Sequence, residues 1–137
     1  MNVYKNNQQV VFNIQYHVIW VTKNHHKFLQ DSIAVRTREL IRLGCEARGI
    51  AVLQGSLGKD HVHLLISCTS NMVPSKIVQY LKEQLSSLLQ EQFPQLKKQY
   101  WGQQLWEKGY FCASVGDIDE ETIRNYIVNQ FNEGKDE

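Results

Sequence analysis

The sequence predicts an α+β fold: an antiparallel sheet carrying two helices, followed by one more helix toward the C-terminal end. Three observations predict it. Four runs are short and rich in β-branched or aromatic residues, whereas three longer runs repeat their apolar residues every three to four positions. Two of the short runs follow one another across the tight connection "GKD", which makes them a hairpin. The chain has 137 residues, 42% hydrophobic and 21% charged, enough for a single domain (1–137) with one core and too few for two.

The first strand is "VVFNIQYHVIWVT" (10–22), with one well-buried side: Val10, Phe12, Ile14, Tyr16, Val18 and Trp20 share that face, and Asn13, Gln15 and His17 the other. Asp31 or Ser32 caps a helix running to about Arg48, with Ile33, Leu40, Ile41 and Cys45 as its apolar stripe and Gly49 as its stop. "IAVLQGSL" (50–57) is the second strand and "HVHLLIS" (61–67) lies in the third. Pro74 suits the first turn of a long helix in which Ile77, Leu81, Leu85, Leu88, Leu89 and Phe93 keep helical spacing until Pro94 ends it. "PQLKKQYWGQQ" (94–104) reads as loop and "LWEKGYFCASV" (105–115) as the fourth strand. "GDIDEETIRNYIVNQF" (116–131) then starts a last helix with acids in its first turn, where the helix dipole favours them. The order β, α, β, β, α, β, α fits the ferredoxin-like (βαββαβ) plan, with a C-terminal helix that has no place in the minimal fold.

Composition excludes several classes. No apolar run approaches the ~18 to 20 residues of a membrane helix, and the polar start "MNVYKNNQQ" lacks the apolar segment of a secretory signal, so a cytoplasmic protein is expected. Cys45, Cys68 and Cys112 are odd in number and lack CxxC spacing, which suggests neither a disulfide framework nor a cysteine zinc site. The net charge is only +1, but residues 1–60 hold eight Lys/Arg against four Asp/Glu, so any anion-binding face is local. No HExxH, GxSxG, Walker loop or GxGxxG occurs, and a histidine-triad hydrolase would need a histidine where Leu65 stands.

The stretch "KDHVHLLIS" (59–67) is the exception to a bland pattern. His61, His63 and Leu65 point to one side of an extended chain, and Val62, Leu64 and Ile66 to the other. Two imidazoles about 7 Å apart at their Cα atoms can converge on one metal ion. On spacing alone, a metal-binding pair and two hydrogen-bonded sheet histidines are equally good readings. On the last helix Tyr126 and Gln130 stand one turn apart, beside the apolar stripe of Ile123, Ile127 and Phe131. By itself a tyrosine there is more often packing than chemistry, and Gln130 alone reads as surface.

Five blocks in order, "YHVIWVTK", "DHVHLLIS", "IVQYLK", "LWEKGYF" and "ETIRNYIVNQ", resemble the HUH single-tyrosine transposases of the IS-two-hundred type, over roughly residues 10–131. The name denotes His, a hydrophobic residue and His, here His61, Val62 and His63. The resemblance implies a dimeric transposase acting on single-stranded DNA hairpins at the ends of an insertion sequence. It implies Tyr126 as nucleophile, and His61, His63 and Gln130 as ligands of Mg²⁺ or Mn²⁺. In the family the two active sites are composite, each pairing one subunit's histidines with the other's tyrosine helix. The expected DNA contacts are Lys23 and Lys27 in "KNHHK", Lys76 and Lys82 on the long helix, and Lys97, Lys98 and Trp101 after it. Relatives commonly carry proline where Lys59 stands, a departure expected to loosen the approach to the histidine strand. The competing functions are a hairpin-DNA binding protein without catalysis, a domesticated relative that nicks repeated palindromes, and an oligomerisation domain with a chance HxH pair.

Overall fold

The computed structural model describes residues 4–6, 9–11, 13–115 and 124–128. In chain order its elements are β1 (Tyr4–Asn6), β2 (Gln9–Val11), β3 (Asn13–Val21), α1 (Asp31–Ala47), β4 (Ala51–Gly58), β5 (His61–Thr69), α2 (Pro74–Gln92), α3 (Pro94–Tyr100) and β6 (Phe111–Ser114). Residues 124–128 are helical.

The main sheet has the order β4-β5-β3-β6, and every neighbouring pair is antiparallel. Helix α1 joins β3 to β4 and so brackets β5, which is the split βαβ arrangement expected from the order of elements. The core fills one face: Val18, Trp20, Val62, Leu64 and Ile66 of the sheet meet Ile41 and Cys45 of α1 and Leu81, Leu85 and Leu89 of α2. Those helix residues recur at three- and four-residue intervals, so they form a stripe that only a flat apolar surface can cover. Trp106 closes this core by meeting Trp20 edge-on, with ring centroids 6.1 Å apart. Among the described residues no helix is long and apolar enough to cross a membrane.

The structure corrects five local expectations. The first strand divides: Asn13–Val21 enters the main sheet, whereas Gln9–Val11 pairs with Tyr4–Asn6 in a separate hairpin. Nor is β3 buried on one side only. It lies between β5 and β6, and Ile19 and Val21, on the side opposite Val18 and Trp20, are as buried as those two. At the start of α1 the N-cap position belongs to Gln30 and carries no side-chain cap, while Asp31 is already helical in position although its φ is +53°.

Residues 94–100 are a short helix rather than loop, opened by Pro94 in its first turn, where a missing N–H costs nothing. The fourth strand is shorter than expected, Phe111–Ser114, because the chain before it is claimed by other contacts. Leu105 and Trp106 plunge into the core, Trp106 Nε1 donates to the Lys82 carbonyl, and Gly109 has φ +83°. Of the expected last helix, residues 116–123 and 129–131 lie outside the described residues.

Candidate active site

Direct antiparallel pairing fixes which side chains share the face away from the core. Ser56, His63, Ile19 and Phe111 form one row across all four strands, because Ser56 pairs with His63, His63 with Ile19 and Ile19 with Phe111. His61 pairs with Val21 and Gly58 in the next row, and Leu65 with His17 and Gln54 in the row on the other side. The alternation in β5 is the expected one: Val62, Leu64 and Ile66 are buried in the core, and His61, His63 and Leu65 are half-buried on the opposite face.

His61 is held from two directions. Its Nδ1 donates to Asp60 Oδ1 over 3.0 Å, leaving Nε2 as the free lone pair. Its ring lies over Gly58, where an added Cβ would come within 2.0 Å of Cε1, so only glycine admits the ring in this position. Asp60 also accepts from His25 Nδ1 over 3.4 Å. Burial pushes the Asp60 carboxyl up, but the hydrogen bonds from His61 and His25 outweigh it and hold its pKa below the ordinary value. The turn that carries Asp60 is anchored through its backbone: Leu29 N–H donates to the Lys59 carbonyl and Thr22 N–H to the Asp60 carbonyl, over 3.0 and 2.9 Å. Lys59 is therefore tied in place without proline.

His63 meets a third imidazole. Its Nε2 and His17 Nδ1 are 3.1 Å apart, one ring donating to the other. Burial, with His17 and His61 nearby, draws the His63 pKa below the usual imidazole value and favours the neutral, ligating form. His17 and His63 border an open depression of about 420 Å³ that also takes in Gln54, Gly55, Ser56 and Leu65.

Tyr126, on the helical segment 124–128, is half-buried with its ring 5.2 Å from that of Phe111. Phe111 belongs to the His63 row, so Tyr126 stands over the sheet face of its own chain's histidines, two strands from His63. Two strand spacings separate the Phe111 and His63 backbones by about 10 Å.

A family profile described as "Transposase IS200 like" matches residues 10–130. The chain belongs to the IS200-like transposase family. Among its relatives, the ISDra2 transposase TnpA of Deinococcus radiodurans is 30% identical over 92% of this chain and 90% of its own length. The transposase for insertion sequence element IS200 of Salmonella typhimurium is 29% identical over 90% of this chain and 81% of its own. A crystal structure of an inferred transposase from Deinococcus radiodurans superposes with a TM-score of 0.83 at 31% identity, covering 93% of this chain and 97% of that one. A REP-associated tyrosine transposase bound to a REP hairpin shares the fold, with a TM-score of 0.54 at 10% identity over 90% of this chain and 68% of that one. The transposase family places this chain among enzymes that process DNA.

The transposase brings His61, His63 and Tyr126 to one sheet face; Gln130 lies outside the described residues. Among the described residues no group of three or more His, Cys, Asp or Glu side chains could hold a metal ion. An ion on His61 and His63 thus needs a further donor, and an amide such as Gln130 is chemically suited to a hard divalent cation. The basic residues separate. Lys23 and Lys82 line one groove of about 750 Å³ with Lys108 and Tyr110. Lys82 Nζ spends two of its three donors there on the carbonyls of Glu107 and Gly109, over 2.9 and 3.0 Å, and burial lowers its pKa. Lys27 is exposed on the loop after β3, whereas Lys76 stands in the first turn of α2, the helix that follows the end of β5 remote from His61.

Sequence reasoning missed His17, Gly58, Asp60 and Phe111 as parts of this site. Asp60 adjoins His61 in the chain and could have been found as the carboxylate that orients a ligating imidazole. His17 and Phe111 carry no local signal; strand register alone places them.

Proposed function

We propose that this transposase cleaves and rejoins single-stranded DNA at hairpin-bearing ends of an insertion sequence, with Tyr126 as nucleophile. The observation that carries the reading is the seat of Tyr126 on Phe111, in the strand row of His63. The tyrosine oxygen attacks phosphorus, its proton passes to solvent or a neighbouring base, and the bond from phosphorus to the 3′-oxygen breaks. The products are a 5′-phosphotyrosine and a free 3′-OH. A 3′-OH reverses the step by attacking the same phosphorus, so strands rejoin without a nucleotide cofactor.

His61, His63 and Gln130 would hold Mg²⁺ or Mn²⁺, with Asp60 orienting His61 as a carboxylate orients a metal-bound histidine. A divalent ion there supplies a Lewis acid for a non-bridging phosphate oxygen. Because a free tyrosine has a pKa of about 10, stabilising the charge that develops in the attack is what makes the phenol competent near neutrality. Gly58 keeps the His61 ring in place, and Phe111 positions the phenol.

The reading includes a homodimer with composite sites, as the resemblance implies. The contact of Tyr126 with its own chain's Phe111 favours a second arrangement, in which each chain completes its own site. Cleavage of a labelled single-stranded element end in Mn²⁺ tests the chemistry. The reading expects a 3′-terminated fragment that a polymerase extends directly; a fragment ending in 3′-phosphate would contradict it. A protein that binds hairpin ends but never cuts them would establish the binding-only alternative.

A further inference from the structure

The turn after β3 is left-handed at two consecutive residues, neither of them glycine: Asn24 has φ +54° and His25 φ +55°. Asparagine and histidine enter this region more readily than other side chains, yet the backbone there is strained. Three hydrogen bonds pin the turn all the same. Thr22 Oγ1 donates to the His26 carbonyl over 2.7 Å, Asn24 N–H to Glu107 Oε2 over 2.6 Å, and Lys23 N–H to the Leu105 carbonyl over 2.8 Å. The outcome is an imidazole turned inward. His25 is 7% exposed, although Asn24 before it is exposed and His26 after it is half-buried.

That imidazole reaches the carboxylate that serves His61. His25 Nδ1 donates to Asp60 Oδ2 over 3.4 Å, while His61 Nδ1 donates to the other oxygen, Oδ1, over 3.0 Å. A carboxylate bonded at one oxygen alone can turn about its last side-chain bond and carry that hydrogen bond out of line. An imidazole on each oxygen blocks the rotation. The backbone bonds to the Lys59 and Asp60 carbonyls hold the chain but leave this side-chain rotation free. The Asp60 side chain is only 16% exposed, so solvent has little part in orienting it.

We propose that His25 is a positioning residue of the metal site: it sets the orientation of Asp60, which in turn fixes the His61 ring. The strained turn brings the imidazole to that place, and the histidine acts from outside the ligand set. The inference rests on the reading of His61 and His63 as ligands of a divalent ion, but it does not depend on cleavage. The test is calorimetric titration of the full chain with Mn²⁺, without DNA. His25→Gly removes the imidazole at a φ that glycine adopts freely, whereas His25→Asn keeps a side-chain N–H donor on a residue that tolerates this φ. His25→Gly should weaken Mn²⁺ binding about fivefold, less than the loss of a ligand's direct partner, and His25→Asn should stay within about twofold of wild type. In an Asp60→Asn background, His25→Gly should cost nothing further, because the histidine acts only through that carboxylate. A histidine that merely fills the interior would lower thermal stability in the glycine variant and leave Mn²⁺ affinity unaltered. That result would overturn the proposal while leaving the metal reading intact, as would a full further loss on top of Asp60→Asn. Should the glycine variant not fold, nitrogen–proton correlation spectra of wild type decide: the proposal requires a proton on His25 Nδ1, and a bare Nδ1 overturns it. Wild type that binds no Mn²⁺ would overturn the metal reading and this inference together.

Discussion

At the scale of single residues, the candidate site depends on groups that touch His61 rather than on His61 alone. Gly58→Ala places a Cβ where the His61 ring lies and must swing the imidazole aside. Its expected effect is a loss of Mn²⁺ affinity of about 10- to 100-fold, the range typical when a ligand's support is disturbed. Isothermal titration checks this, and an unaltered affinity would show that the ring position is immaterial. Asp60→Asn removes the carboxylate from Nδ1 of both His61 and His25, and should weaken the same titration by a comparable factor while the sheet's circular dichroism is retained. The histidine pair and its facing were legible in the sequence because alternation in a strand is strictly local: buried Val62, Leu64 and Ile66 against half-buried His61 and His63. His17 was not, since its contact with His63 spans 46 residues and exists only in the register of β3 with β5.

At the scale of elements, periodicity located both long helices and the histidine hairpin, and failed where tertiary contacts override local preference. The segment from Leu105 to Tyr110 has the composition of a strand, yet it is irregular because Lys82 grips two of its carbonyls and the core swallows Trp106. Lys82 was expected at DNA; its observed partners make it first a clamp on the approach to β6. Lys82→Met keeps the aliphatic stem and removes both hydrogen bonds, so it should destabilise the fold by about 1–3 kcal/mol, measured by urea unfolding. It should also speed amide exchange around residues 107–110. A variant as stable as wild type with unaltered exchange would return Lys82 to the DNA-contact role alone. Helix α3 escaped notice because its seven residues are too short to show a period; Leu96 and Tyr100, four apart and both buried, are its only stripe.

At the scale of the whole molecule, the sheet divides labour between its faces. One face is core, held by α1 and α2, and large-to-small changes there should cost stability without touching chemistry directly. Leu81→Ala, at a site 1% exposed, should cost about 2–5 kcal/mol in thermal or urea unfolding. The other face gathers His61, His63 and Tyr126 from segments that the chain separates by more than fifty residues. Their order in the sequence made them recognisable as a set, whereas their convergence needed the strand rows. Mixing Tyr126→Phe protein with His61→Ala protein separates the two arrangements of the site: composite sites regain cleavage in mixed dimers, and own-chain sites do not. The most direct measurement of the central claim is to incubate the full chain with labelled single-stranded element ends and Mn²⁺, then map the DNA-linked peptide by mass spectrometry. The account predicts a covalent adduct on Tyr126 that disappears in Tyr126→Phe; cleavage that persists in that variant, or an adduct on another residue, would contradict it.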